Sequence, residues 1–312
     1  MNTRQFDYLL SVAEYKNFGL AANKCNITQS TLSTMIGRFE DEIGINIFDR
    51  KTKPVSITKE GIVIINQLKR IVNEIDVLEE LTQTIKGELV GEIKIGIIPT
   101  VAPFVLPEFL NDFTKNFPNI NFIVSEMTTD LIVNLLERRE LDIGILAIPL
   151  KRDLLQELPL YNESFFLFDC REGVKVRKRG NLEKIDFEKF WLLEEGHCFH
   201  TQVKRICDFN IDKAKEGINF DFKAGSIESL IRFVKKNKGI TMLPYLSSLT
   251  FTEEEQQKIT LFKPPVPVRT IGLITHKHFV KKNILSLLHI EIRNKIVPLL
   301  KTKRKAFVIN PF

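Results

Sequence analysis

Between Thr3 and Tyr15 the apolar positions Phe6, Leu9, Leu10, Val12 and Ala13 fall on one stripe at helical spacing, which predicts a helix with a single buried face. Phe18 to Cys25 predicts a short second helix whose small residues let a neighbour approach closely. Asn26 and Ile27 make a turn, and Thr28 is placed to cap a third helix, Gln29 to Glu42, that buries Leu32, Ile36 and Phe39. The first turn of that helix presents Gln29, Ser30, Thr31, Ser33 and Thr34. Short polar side chains after a tight turn suit entry into a major groove and contact with base edges; ordinary solvated surface carries longer charged chains. Gly44 stops the helix. Ile45 to Thr58 predicts a β-hairpin with Arg50, Lys51 and Lys53 at its tip, a wing able to hold flanking phosphates. The alternative is a small three-helix domain that binds protein. The turn, the polar first turn and the basic wing together speak against it.

Further along, Ile64, Leu68, Ile71, Ile75, Leu78 and Ile85 recur at alternating spacings of four and three, broken by Thr82, with no proline between Thr58 and Gly87. This is a heptad seam, which predicts a helix of about 40 Å able to pair two copies of the chain. The alternative is a lone amphipathic helix packed on its own chain.

After Gly87 and Gly91 the period changes. Ile93 to Ile98, Ile120 to Val124, Ile143 to Ile148 and Phe165 to Phe168 read as strands, with helices over Val105 to Phe117 and Leu131 to Leu136. Trp191 to Leu193, a helix ending at Cys207, a helix Ile227 to Val234, and strands Ile240 to Leu243 and Thr270 to Ile274 follow. Such alternation predicts parallel sheets with helices on both faces and a ligand crevice at the carboxyl ends of the strands. Thr100 closes the first strand and Thr129 opens the helix after the second, so both point to that crevice. For Thr100 the plainer reading is a helix cap; Thr128 is the alternative donor to Thr129.

Composition adds bounds. A chain of 312 residues exceeds one core, and 44% hydrophobic with 27% charged residues is ordinary for a soluble globular protein. No apolar run suggests a membrane span and no secretory signal is read, so a cytoplasmic protein is expected. The net charge of +6 is compatible with an acidic partner and equally with solubility alone. Lys301, Lys303, Arg304 and Lys305 form a basic tail, and residues 302–312 are expected to be disordered.

Two of the four cysteines, Cys198 and Cys207, lie nine positions apart. On one continuous helix their Cα atoms would be separated by roughly 13 Å and face opposite ways, beyond the ~7 Å a disulfide allows. A bridge would therefore require the segment to rearrange. Cys198 is the better nucleophile, near a helix N-terminus with His197, His200, Lys204 and Arg205 around it; Cys207 would resolve. The expected order is attack of Cys198 on peroxide to give a sulfenic acid, then condensation with Cys207. Three alternatives stay open: two unrelated buried thiols in a regulator of an ordinary metabolite, a zinc-type site from His197, Cys198, His200 and Cys207, and a thiol peroxidase. Adjacent His197 and Cys198 chelate poorly, and a peroxidase has no use for the N-terminal head. Neither a cofactor nor a metal is expected. Cys25 and Cys170 read as structural.

Residues 1–60 resemble the winged helix-turn-helix of the LysR-type transcriptional regulators. The match is carried by Phe6, Phe18, Ala21, Ala22, Thr28 to Ser30, Leu32, Ser33, Glu40, Gly44, Phe48 to Arg50, Thr58 and Gly61, and the likeness extends over the chain in order and length. It implies an all-α winged helix-turn-helix (1–58), a linker and dimerisation helix (59–87), and a C-terminal α/β regulatory domain (88–301) of two lobes, as in periplasmic binding proteins. The lobes are 88–161 with 268–301, and 162–267. Leu193 to Cys198 with Cys207, Gly96 to Val101, Leu141-Asp142, Gly239 to Pro244 and Arg269 to Leu273 are similar to the peroxide-sensing members of that family. Those members imply that Thr100, Thr129 and His197 position hydrogen peroxide and that Arg269 favours the thiolate. They also imply a homodimer or homotetramer on double-stranded DNA, acting as an activator with RNA polymerase and reset by a glutaredoxin- or thioredoxin-type reductant, with no membrane partner. His200 and Thr201 replace the charged residues expected after the reactive cysteine, and Cys170 has no place in the pattern.

Overall fold

The computed structural model describes residues 2–85, 90–174, 176, 178–181, 188–194, 198–207, 222–300 and 306–311, with backbone alone at 76, 77, 79–81, 83–85 and 207. The chain forms two compact units, Met1–Lys86 and Gly87–Phe312. Among the described residues no helix is long and apolar enough to cross a membrane.

In the first unit α1 (Thr3–Tyr15), α2 (Phe18–Lys24) and α3 (Gln29–Ile43) are followed by the short antiparallel pair β1 (Phe48–Asp49) and β2 (Ser56–Ile57), then α4 (Lys59–Ile85). Each cap has a cause. The Asn17 side chain accepts from the amides of Gly19 and Leu20, and that of Thr28 accepts from Thr31. Gly44 closes α3 at φ 67°, a left-handed conformation that a Cβ would penalise. Phe6, Leu9, Val12, Leu32, Ile36, Phe39, Ile47 and Phe48 pack into one core. The N-terminal half of the α4 seam also belongs to this core: Leu68 is buried in it, with Ile64 and Ile71 against it, and Ile65 beside the seam is buried too. That half of the seam is occupied by its own head, whereas Leu78 is 60% exposed. At Gly61 a Cβ would fall 2.3 Å from the carbonyl oxygen of Ile47, so only glycine lets α4 start this close to the wing.

The second unit is a mixed sheet layered with helices. Its strands are β3 (Gly91–Ile97), β4 (Ile120–Glu126), β5 (Ile143–Ile148), β6 (Leu155–Asp169), β7 (Arg179–Gly180), β8 (Ile240–Pro244), β9 (Ile259–Phe262), β10 (Val266–His276) and β11 (Ala306–Val308). The helices are α5 (Ala102–Lys115), α6 (Thr129–Glu137), α7 (Cys198–Cys207), α8 (Ile227–Lys236), α9 (Glu253–Gln256) and α10 (Lys282–Ile296), with a 3-10 turn at Tyr245–Thr250. The strand order is β4-β3-β5-β10-β6-β9-β7, with β8 on β6 and β11 on β10.

Of the strands expected in a parallel sheet, β3, β4 and β5 pair that way; the other parallel pairs, β7 with β9 and β10 with β11, are two and three residues long. β10 runs antiparallel to β5 and β6, and β8 and β9 run antiparallel to β6. The cause is the length of β6 and β10, which the apolar runs Phe165–Phe168 and Thr270–Ile274 understate. Each runs from one hydrophobic core into another: Leu160 and Tyr161 lie in the first and Phe165–Phe168 in the second, while Val268 lies in the second and Ile271 in the first. Trp191–Leu193 makes no strand; its neighbourhood pairs through isolated bridges, Phe190 with Ile240 and Leu193 with Ala224. The disordered tail is also corrected for residues 306–311. β11 pairs with β10 and Ile309 is buried in the second core, because an apolar Ala-Phe-Val-Ile run follows the basic one. Residues 301–305, the basic part itself, lie outside the described residues.

Candidate functional site

Two surfaces hold the residues singled out above. On the first unit Gln29, Ser30, Thr31 and Thr34 are exposed at the start of α3, and Arg50, Lys51 and Lys53 are exposed on the wing. Much of the polar set is tied locally. The Thr28 hydroxyl shares hydrogen bonds with those of Ser30 (3.0 Å) and Thr31 (2.8 Å), and the Thr34 hydroxyl donates to the Ser30 carbonyl at 2.9 Å. Ser33 is half-buried and accepts from Arg50 Nη1 at 3.1 Å. The organiser is Glu40, named above only within the family pattern. Its buried carboxylate accepts from the amides of Ile47 (2.7 Å) and Phe48 (3.0 Å) and pairs with Arg50 Nη2 at 2.7 Å. Arg50 also lies 5.2 Å over the Phe18 ring. Part of its charge is thus used joining wing to α3, which leaves the exposed Lys51 and Lys53 as the more available cations of the wing.

The second surface is buried. β3, β4 and β5 are parallel, so their carboxyl ends share one edge. Thr100 follows β3, Thr129 follows β4, and both are buried there. Thr100 is not a cap, since α5 is preceded by Val101 with no side-chain cap. Instead its hydroxyl accepts from Arg269 Nη1 at 2.8 Å and its carbonyl from Nη2 at 3.0 Å. The alternative donor Thr128 is exposed.

Cys198 meets this edge. It is the first residue of α7, buried, and its thiol is free. Its position is divided: Cys198 belongs to the first core, whereas Phe199 and Val203 of the same helix belong to the second. Burial pushes the thiol pKa up; the Thr129 hydroxyl, the Arg269 charge, and backbone hydrogen bonds from Phe199 and Ala147 pull it back. Among these influences desolvation is the largest, so the resting thiol lies above its ordinary value. His200 is not among these groups, and its Nδ1 bonds the Leu193 carbonyl. The Thr129 hydroxyl is buried beside the sulfur, close enough to favour the thiolate, and has no other hydrogen-bond partner. His197 and the Cys207 side chain lie outside the described residues.

Arg269 is the hub. It is 1% exposed and pairs with Glu163, which is 0% exposed, through Nε at 2.8 Å and Nη2 at 2.7 Å. The two residues are direct partners in the β10–β6 register. The other Glu163 oxygen accepts from the Leu246 amide at 2.7 Å, and the Phe199 ring lies 5.4 Å from the guanidinium. One cation thus touches the turn after β3, strand β6 and the start of α7. Sequence reasoning missed Glu163; the signal was a carboxylate between two apolar runs of one strand, as Arg269 is in β10.

The N-terminal residues 3–62 match the model of the bacterial regulatory helix-turn-helix protein, lysR family, and residues 86–288 match the LysR substrate binding domain. The chain belongs to the LysR family. Among LysR-family relatives, the hydrogen peroxide-inducible genes activator of Haemophilus influenzae is 32% identical over 275 residues, covering 88% of this chain and 90% of that protein. The DNA-binding transcriptional dual regulator OxyR of Escherichia coli K12 is 31% identical over 278 residues, covering 88% and 89%. A full-length OxyR variant from Pseudomonas aeruginosa superposes with a TM-score of 0.74 at 26% identity, covering 95% of this chain and 99% of that one. The remaining cysteines of this LysR chain face other surroundings. Burial pushes the Cys170 thiol up to about 11, and Cys25, half-buried at the end of α2, donates to the Ser11 hydroxyl at 3.3 Å.

Proposed function

We propose that this LysR-family regulator is peroxide-responsive and switches through a reversible Cys198–Cys207 disulfide. The observation that carries the reading is a buried thiol at a helix start, beside a buried hydroxyl that has no other partner and within the field of a buried guanidinium. Burial keeps the thiol protonated at rest, and a small neutral oxidant enters such a site without the desolvation cost of an ion. Thr129 donates to the incoming oxygen, Arg269 stabilises the thiolate through space, and Thr100 holds Arg269 in place while keeping a hydroxyl proton to donate. His197 is the further positioning group. The names of the relatives, peroxide-inducible activators and OxyR, support the same reading.

The chemistry balances. The Cys198 thiolate attacks one peroxide oxygen; an S–O bond forms as the O–O bond breaks, and hydroxide leaves and is protonated to water. The Cys207 thiolate then attacks the sulfenic sulfur; the S–S bond forms, the S–O bond breaks, and a second hydroxide leaves to become water. Two thiols lose two electrons and peroxide gains them. Because α7 is continuous from Cys198 to Cys207, the Cα atoms stand roughly 13 Å apart, so the second step requires unwinding.

In this reading the signal passes to paired heads. The heads bind double-stranded DNA through Gln29, Ser30, Thr31, Ser33 and Thr34 in the groove and Arg50, Lys51 and Lys53 on phosphates. The assembly is a homodimer or homotetramer in the cytoplasm that works with RNA polymerase and is reset by a thiol reductant. Two lobes meeting where β6 and β10 cross give the regulatory domain its hinge. The test is thiol mapping by mass spectrometry after one equivalent of peroxide. A Cys198–Cys207 bridge that is absent in Cys198→Ser supports the proposal; both thiols left free, with Cys170 alone modified, overturns it in favour of a metabolite-type regulator.

A further inference from the structure

The last described residues of the chain lie against the helix that carries the proposed redox pair. β11 adds to the start of β10 in parallel, Ala306 to Val308 opposite Val266 to Val268. The Ile309 amide then donates to the Val268 carbonyl at 2.8 Å, one residue before Arg269, and its side chain is buried in the second core. From the other side α7 takes hold of the same segment. Gln202 Nε2 donates to the Ile309 carbonyl at 3.0 Å, and Arg205 Nη1 donates to the Asn310 carbonyl at 3.3 Å. Gln202 is 0% exposed, and its Oε1 has no hydrogen-bond partner. An aliphatic residue would fill that position without the cost of burying an amide. What the amide provides is a grip on a backbone carbonyl.

The two gripping residues stand three apart on α7, the spacing that aligns side chains only while the segment is helical. We infer that residues 306–311 are a strap that latches α7 in its helical, dithiol form and is released when the helix unwinds. The release step rests on the disulfide reading given above; the latch on the helix does not. A segment that binds only the helical form stabilises that form and opposes the opening that Cys207 needs in order to reach Cys198. The strap thereby sets how much oxidant is required to switch the protein. Its departure also uncovers the edge of β10 at Val266–Val268, next to Arg269.

The test is hydrogen–deuterium exchange on the full-length protein, on a chain ending before Ala306, and on Gln202→Ala and Ile309→Asp, each reduced and after one equivalent of hydrogen peroxide. In the reduced variants the amides of 201–206 are expected to exchange about tenfold faster, the effect of losing hydrogen bonds of ordinary net strength. In the full-length protein the amides of 306–310 are expected to lose protection on oxidation. Unchanged exchange at 201–206 in all the reduced variants overturns the strap, whatever the thiols do. Mass mapping of the same samples separates the two ideas. If no Cys198–Cys207 bridge forms, the redox reading and the release step fall together, and the reduced comparison still decides the latch. If the bridge forms while 306–310 stay protected, the release step is overturned.

Discussion

Replacing Arg269 by methionine removes a guanidinium from a fully buried position and leaves the Glu163 carboxylate, also fully buried, without its counter-charge. Breaking a buried pair from one side costs about 3–5 kcal/mol, because the remaining charge has neither water nor a partner. In a unit of this size each kcal/mol lowers Tm by roughly 2–4 °C, so a fall of about 10 °C is expected. A second effect is separable. Arg269 is among the groups that pull the Cys198 pKa down, so its loss raises that pKa further, lowers the thiolate fraction at fixed pH and slows oxidation. The double variant Arg269→Met/Glu163→Leu removes both charges and is expected to regain most of the stability while its oxidation stays slow. Urea unfolding gives the first quantity, and quenched mass spectrometry of Cys198 during peroxide exposure gives the second. An Arg269→Met protein within about 1 kcal/mol of the parent would refute the electrostatic argument. So would a double variant that oxidises at the parent rate.

Thr129→Val removes the hydroxyl beside the sulfur at little change in volume. Since burial already holds the Cys198 pKa up and this hydroxyl lowers it, the oxidation rate is expected to rise with pH in both proteins, the variant lagging at every pH below its own pKa; superimposable pH–rate profiles would dismiss the role. Glu40→Ala leaves the Ile47 and Phe48 amides without their acceptor, at ~1–3 kcal/mol each. The head should melt lower and bind operator DNA more weakly, as seen by differential scanning calorimetry and gel shift, and an unchanged melt would count against Glu40 as organiser.

Periodicity made the head legible. Thr28, Gly44 and the Leu32, Ile36, Phe39 stripe stand where the pattern puts them, because caps and buried faces are local properties. The site was legible only in its members. Thr100, Thr129, Cys198 and Arg269 were each singled out, yet nothing local says that Arg269 bonds Thr100 from 169 positions away. Glu163 escaped because a charge within a strand reads as solvated until its partner is known. The long strands were shortened by the same habit, since the polar Asn162, Glu163 and Ser164 interrupt the apolar signal of β6 where it crosses between cores. The burial that raises the Cys198 pKa was not legible, because burial is a tertiary quantity.

Glu40 has one more consequence. By holding the amides at the base of the hairpin and the arginine that reaches Ser33, it welds α3 and the basic finger into a single block. Such a block can be turned or carried by the rest of the molecule, but it has no inner joint to flex. Under the proposed function, a change of selectivity on switching comes from where two such blocks are set down along the duplex, so the spacing of half-sites, more than their bases, is what oxidant alters.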